Sequence, residues 1–310
     1  MKTILQDTPY MAHDRKNDKH LTILSPAKVN LFLKVLSKRP DGYHNIVSIV
    51  DLISLYDVIS FEESKNDEII IKDDKGILPD GDANTIYRAI IMLRDRCDIQ
   101  RGVKVFVEKH IPVGGGLGGP SSNAAAALNG LVKFWDIKIE VHELFDIGKR
   151  IGADVPLFIY GKPCVMRGIG EEIAPIELPL FWYVIVYPDV MISTKAVYEG
   201  LKIVLTKKEN DIRLLQHFYS VRDVAGLLEN DLETVAIPMC PKIKEIKDRM
   251  IQAGAIGALM SGSGSSVFGV FESEDNAKRA SLNLEGMGSI FIVHSVKLRL
   301  NTIIWGVVKR

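Results

Sequence analysis

The chain has few cysteines, no net charge and no long apolar run, and each shortage excludes a class of protein. The three cysteines, Cys97, Cys164 and Cys240, are odd in number and far apart, with no C-x-x-C pair. That spacing builds neither a disulfide scaffold nor a zinc site, and it leaves reduced thiols in a cytoplasmic setting as the expectation. Lysine plus arginine balances aspartate plus glutamate, 39 against 39. The basic surplus of a nucleic-acid or membrane-surface binder is therefore missing, and neither partner is expected. No apolar stretch approaches the roughly 18 residues of a membrane span. Residues 1–20 mix both charges (Asp7, Asp14, Arg15, Lys16, Asp18, Lys19) and lack a signal peptide's apolar core, so they read as a polar extension. The stretch 302–308 is too short to span a bilayer and reads as a strand or a docked tail.

What is present is a globular composition, 47% hydrophobic and 25% charged, in 310 residues, enough for two domains. Alternating apolar residues predict strands over 21–36 and 46–61, with the turn Arg39-Pro40-Asp41-Gly42 between them. Further strands are predicted at 67–72 and 103–107, and helices at 84–96 (capped by Asn84), 121–134 and 141–151. Glycines and prolines break 160–180 into short strands and turns, and a fresh apolar strand starts at 182. A domain boundary is placed near 178, giving segments 21–178 and 179–310. The second segment reads as helices near 211–229, 241–253 and 274–285, with strands at 256–260, 267–271 and 290–298. The class is α+β.

The most informative stretch is Pro112-Val113-Gly114-Gly115-Gly116-Leu117-Gly118-Gly119-Pro120-Ser121-Ser122, which leads into an alanine-rich helix. Five glycines in six residues allow a tight turn with no Cβ in a ligand's way. A helix N-terminus offers unpaired N–H groups and the positive end of the dipole, so the natural ligand is a phosphate, foremost that of a nucleoside triphosphate. The stretch satisfies G-x-G-x-x-G, but no clear second parallel strand follows to hold a ribose-binding acid, and Asp136 lies just past a helix. No Gly-Lys-Ser/Thr follows for a Walker loop, and a helix rather than a strand follows the glycines, unlike a protein kinase. A second cluster, Ser261-Gly262-Ser263-Gly264-Ser265-Ser266, lies between two apolar strands and reads as a placed turn that lets another group approach closely.

Three separated segments together resemble the GHMP kinases, in order and spacing, from about residue 22 to 298. They are Pro26-Ala27-Lys28-Val29-Asn30-Leu31, the glycine stretch from Pro112 to Ala126, and Ala258-Leu259-Met260-Ser261-Gly262-Ser263-Gly264-Ser265. Within that group, Ser25 to Leu33, Arg39-Pro40-Asp41-Gly42-Tyr43-His44 and Gly152-Ala153-Asp154-Val155-Pro156 resemble the family that phosphorylates the 2-hydroxyl of 4-diphosphocytidyl-2-C-methyl-D-erythritol. The resemblance implies a two-domain fold, with a ribosomal-S5-domain-2-like first domain and a ferredoxin-like second. It implies ATP with Mg²⁺ as cofactors, a small-molecule substrate, and a step in the non-mevalonate route to isoprenoid precursors. Homoserine- or mevalonate-type kinases, and a non-catalytic nucleotide binder, are the alternatives. Proline at 120 departs from the small residue usual there, but it is tolerated in a helix's first turn.

The resemblance also implies residue roles, each beside a plainer reading. Asp154 is the base for the alcohol, or a cap or turn residue. Lys28 is a cation beside Asp154, or the solvent face of a strand. Asn30 shares the face of Lys28 by alternation and is placed on the substrate's hydroxyls. Tyr43 and Tyr198 are expected to stack on the cytosine and His44 to hydrogen-bond it, though an exposed loop is the plain reading for 43–44. Ser261, Gly262, Ser263 and Gly264 form a third phosphate loop. Mg²⁺ is expected on phosphate oxygens and water, aided by Ser122, with no dedicated protein metal cage.

Overall fold

A computed structural model describes residues 20–201 and 220–296. The expectations for residues 1–19, for the tail at 302–308 and for most of a helix at 211–219 lie outside these.

The first half is organised on a long antiparallel pair, β1 (His20–Lys38) and β2 (His44–Glu63), joined by the predicted turn. Gly42 takes φ 88° there, which a residue with a Cβ rarely adopts. The register of the pair shifts at Pro26/Ala27, Asn30/Phe32 and Val35/Ser37. Such bulges bend a strand and re-aim its side chains. Two of them bracket Lys28 and Asn30. Every β1 residue from Ser25 to Leu33 is buried, because helices cover one face of the sheet and the second half of the chain covers the other. Strands β3 (Ile69–Asp73) and β4 (Val103–Glu108) extend the sheet beyond β2, and β5 (Cys164–Arg167) and β6 (Glu172–Pro175) pair off its far end.

Helix α1 (Thr85–Cys97) starts where predicted, with the Asn84 side chain accepting from Ile86 N–H. Helix α2 (Gly119–Phe134) is buried without a break from Ser122 to Leu131. Its alanines are small because it runs through the centre of the layer. A Cβ on Gly130 would lie 2.7 Å from Phe61 on β2. Helix α3 (Val141–Ile151) has the predicted bounds. The short α4 (Val155–Tyr160), not anticipated from the sequence, packs its apolar side chains into the same core. Six residues are too few to display a helical period.

The second half contributes β7 (Trp182–Tyr187), α5 (Thr194–Gly200), α6 (Val221–Ala225), β8 (Glu229–Asn230), α7 (Glu233–Met239) and α8 (Lys242–Gln252). It continues with β9 (Gly257–Met260), β10 (Val267–Phe271), α9 (Glu274–Leu282) and β11 (Ser289–His294). Its four-stranded sheet runs β11-β7-β10-β9, all antiparallel, the order of a ferredoxin-like βαββαβ unit. The region read as one helix to 229 contains only α6 among the described residues and then gives way to β8. That strand leaves the second half and pairs in parallel with β1, Phe32 and Leu33 against Glu229 and Asn230. Side chains of both halves share one core cluster, Leu31, Ile49 and Ile53 with Tyr183, Phe268 and Val270.

The central burial of α1 predicts a cavity cost. Leu93 is fully buried, so Leu93→Ala is expected to lower unfolding stability by about 2–5 kcal/mol in urea titration.

Candidate active site

The glycine stretch leaves β4 and wraps over the first turn of α2. Gly114, Gly116 and Gly118 have φ of 68°, 75° and 76°, so the loop alternates through a conformation that other L-residues resist. Gly118 is the N-cap of α2, and Pro120 sits in the first turn, where a missing N–H breaks no helical bond. At Gly116 a second constraint applies. A Cβ there would lie 2.0 Å from the Ser261 carbonyl oxygen. The turn 261–266 presses backbone to backbone on the loop: Ser261 Oγ donates to Gly116 O (3.0 Å) and Ser266 N–H donates to Gly115 O (3.1 Å). The group for which the small residues of that turn make room is the first glycine loop. Asn230, on β8, holds the turn from behind, its Nδ2 donating to the carbonyls of Met260 and Gly262 at 2.8 Å each. Ser263 pairs with Thr194, which opens α5 (2.8 Å).

Beneath the loop lies a buried carboxylate that sequence reasoning missed. Asp57 Oδ1 accepts from the backbone N–H groups of His110 (2.8 Å) and Ile111 (2.9 Å), just before the loop. Its Oδ2 accepts from Asn123 Nδ2 on α2, just after the loop (3.0 Å), and from Lys109 Nζ. Asn123 Oδ1 in turn accepts from Ser25 on β1 (2.8 Å). The signal available was a lone acid in an apolar alternating strand, which reads equally as a solvent-facing position.

Lys28 and Asp154 meet at the open side of this assembly. The Lys28 backbone N–H donates to Leu117 O in the loop (3.0 Å), and its ammonium lies 3.9 Å from Asp154 Oδ2. Lys28 is buried, so the solvent-face reading of a strand lysine does not hold. Desolvation pushes its pKa below the usual lysine value, and the Asp154 charge opposes that drop. Asp154 occupies the N-cap position of α4, yet its side chain makes no capping bond. Its carboxylate is about a third exposed (36%). Behind it, burial pushes the Cys164 thiol up to about 12, with Asp154 adding to the effect. Asn30 lies next to Lys28, as strand alternation requires. Its Oδ1 accepts from Lys28 Nζ, and its Nδ2 donates to Ser48 Oγ (2.8 Å).

The aromatic groups divide. His44 and Tyr198 are in ring contact, tilted to each other, with centroids 5.2 Å apart and planes 30° apart. Burial, then the Lys38 charge, lower the His44 pKa and keep the ring neutral near pH 7. The Tyr198 hydroxyl is raised well above its ordinary value, first by burial and then by the Asp154 carboxylate, whose charge reaches it. Tyr43 is not drawn in. Its side chain is 59% exposed, and its backbone N–H is tied to Asp41 within the turn (3.1 Å).

Within the loop, Leu117 is a core residue, while Val113 is exposed and its carbonyl accepts from the Tyr187 hydroxyl (3.1 Å). The expectation that Ser122 helps hold a cation is corrected. Its hydroxyl is buried and hydrogen-bonded to Ser25 Oγ (2.7 Å), because the second residue past Pro120 has already turned into the helix core. Ser121 is the partly exposed hydroxyl at that end. Among the described residues there is no group of three or more His, Cys, Asp or Glu placed to hold a metal ion.

Comparison with known proteins agrees with this geometry. Residues 84–162 match the GHMP kinases N terminal domain and residues 211–289 the GHMP kinases C terminal domain. The chain is 42% identical to the 4-diphosphocytidyl-2-C-methyl-D-erythritol kinase of Syntrophus aciditrophicus over 279 residues, 89% of this chain and 99% of that one. It is 44% identical to the enzyme of the same name from Syntrophotalea carbinolica over 264 residues, covering 85% and 94%. Among solved structures, a 4-(cytidine 5'-diphospho)-2C-methyl-D-erythritol kinase superposes with a TM-score of 0.76 at 32% identity, covering 90% of this chain and all of the other. Homoserine kinase from Cytophaga hutchinsonii shares the fold at 19% identity (TM-score 0.72, covering 95% and 97%).

Two substitutions test the loop's support. Asp57→Asn puts an amide N–H where acceptors are needed and leaves Lys109 unpaired. It is expected to cost about 3–5 kcal/mol in urea unfolding. Gly116→Ala forces the two loops apart, and hydrogen exchange at the Ser266 N–H is expected to speed up at least tenfold.

Proposed function

This chain belongs to the GHMP kinases and, within them, to the 4-diphosphocytidyl-2-C-methyl-D-erythritol kinases, and we propose that Lys28, Asp154 and the glycine loop carry its phosphoryl transfer. The enzyme moves the γ-phosphoryl group of ATP to the 2-hydroxyl of that substrate, in the non-mevalonate route to isoprenoid precursors. The observation that carries the assignment of roles is the Lys28–Asp154 pair, 3.9 Å apart and tied through Leu117 to a glycine loop at a helix N-terminus.

Phosphoryl transfer demands placement and charge neutralisation more than covalent chemistry. The N–H groups of residues 114–121, apart from the proline, receive the phosphates at the start of α2, the Ser122 N–H being donated to Gly118 O. The turn 261–264 backs that loop and completes the phosphate cradle. Asp154, partly exposed and not spent on capping, accepts the proton of the attacking hydroxyl. The Lys28 ammonium, 3.9 Å from Asp154, stabilises charge on the hydroxyl oxygen as the proton leaves. The partly exposed Ser121 hydroxyl would be the protein group to meet a Mg²⁺ ion brought with the nucleotide. When bound, the ion neutralises the charge of the transferring group. The His44–Tyr198 pair forms the wall for the cytosine, with the neutral imidazole able to donate or accept at the base edge. Tyr43 reaches the base by swinging in from the turn, and Asn30 supports Lys28 more directly than it meets the substrate. Three free cysteines and dependence on ATP suit a cytoplasmic enzyme.

The deciding assay is ADP release with Mg-ATP and 4-diphosphocytidyl-2-C-methyl-D-erythritol, beside homoserine, mevalonate and no acceptor. Release only with the cytidine-bearing acceptor is expected, and release with homoserine or mevalonate instead would overturn the substrate. Asp154→Asn is expected to lower kcat roughly 10²–10⁴-fold with ATP affinity kept, and full activity in that variant would remove Asp154 as the base. Tyr198→Ala is expected to weaken acceptor binding by about 1–3 kcal/mol, the scale of one base–aromatic stack, read as KM with kcat little changed.

A further inference from the structure

Phe32, Ser48, Asn30 and Lys28 are joined by a chain of hydrogen bonds whose direction has a single solution. The Phe32 carbonyl can only accept, so Ser48 Oγ donates to it (2.6 Å). With its one proton used, Ser48 Oγ must accept from its other neighbour, and Asn30 Nδ2 supplies that bond (2.8 Å). The Asn30 amide is thereby fixed with Oδ1 pointing away from Ser48, at Lys28 Nζ (2.5 Å). An ammonium has donors only. A flipped amide would set N–H against N–H at Lys28 and leave Ser48 facing a carbonyl with no proton to give. Ser48, Asn30 and Lys28 are all buried, so water does not repair a broken link.

We propose that Ser48 is a positioning residue for the phosphoryl transfer: by fixing the amide of Asn30, it holds the Lys28 ammonium in its charged form beside Asp154. This rests on Lys28 being the cation of the reaction. The geometry favours control from behind. Asn30 Oδ1 is in hydrogen-bond contact with the ammonium, whereas Asp154 stands 3.9 Å off. Uncharged groups also pack near the lysine, glycine backbone and the Phe158 ring among them. A Cβ on Gly262 would lie 3.0 Å from Nζ, one on Gly118 would lie 3.0 Å from Cγ, and Leu117 O meets the main-chain N–H. Asp154, from the start of α4, is the charge that Lys28 feels among the described residues. Asn30 Oδ1 therefore supplies stabilisation of the charged form that no neighbour replaces. Removing the Ser48 hydroxyl leaves Asn30 Nδ2 without its partner and takes away one of the two bonds that fix the amide, so the ammonium's acceptor is held less firmly.

The test follows the titration of Lys28 itself, by NMR of the full-length enzyme labelled with 13C-lysine, the Lys28 signal being identified by its loss in Lys28→Arg. In Ser48→Ala, Lys28 is expected to titrate about one pH unit lower than in the wild type. The alkaline limb of kcat is expected to move down with it, and Ser48→Thr, which keeps the hydroxyl, to restore the titration. An unchanged Lys28 titration in Ser48→Ala overturns the proposal, whether or not kcat or thermal midpoint falls, since Ser48 would then act only in packing. A Lys28 titration that moves while the alkaline limb of kcat stays in place overturns instead the reading of Lys28 as the reaction's cation.

Discussion

Both ends of the glycine loop are held by one buried carboxylate. A segment with five glycines loses much conformational freedom on ordering, and left to itself it would sample many shapes. Asp57 removes most of that freedom with four hydrogen bonds: two to the backbone just before the loop, one to Asn123 just after it, and one to Lys109. A carboxylate with four donors in a dry site is well satisfied, and its charge is met by a lysine, so the usual cost of burial is offset. The loop is thus free to carry glycine where a ligand's phosphates need close approach, because its shape is imposed from below.

A second constraint comes from across the molecule. The turn 261–266, on the second sheet, meets the loop through backbone atoms, and its own shape depends on Asn230, on a two-residue strand that joins the first sheet. The cleft is therefore not a property of either half alone. Each of the three family segments is defined by its contact with another: Lys28 N–H with Leu117 O, and Gly116 O with Ser261 Oγ. This mutual packing gives the small residues of the two glycine-rich segments a structural reason beside any ligand.

The electrostatics of the cleft follow from depth. Lys28 is buried on a central strand and loses solvation, so its charge must be supported by neighbours: Asn30 Oδ1 from behind and Asp154 in front. Asp154 lies nearer the surface, where water and an incoming hydroxyl can reach it. A buried cation behind an accessible carboxylate is an asymmetric pair that leaves the acid open to solvent. Tyr198 and Cys164, which also feel the Asp154 charge, stay protonated and do not compete with it for a proton.

Much of this was legible in the chain because it is local. Alternation marked β1 and β2, helical spacing marked α1 to α3, and glycines running into alanines marked an anion loop at a helix start. These depend on residues close in sequence. The short helices α4, α5 and α7 were not legible, because six or seven residues show no period. Nor was the strand β8, which exists only because β1 offers it an edge. Asp57 in its apolar strand, Ser48 and Asn230 carried no local signal, since the partners they hold at the site lie 16 or more residues away. The family segments identified Lys28 and Asp154 as a pair, but the sequence left each with a plainer reading, a solvent-facing lysine and a helix cap. Only the tertiary structure decided between them. It buried the lysine by covering both faces of its strand, and it left the Asp154 carboxylate partly exposed instead of tied to the helix end, because solvent exposure and hydrogen-bond partnership are set by what the rest of the chain packs against, not by the residues alongside.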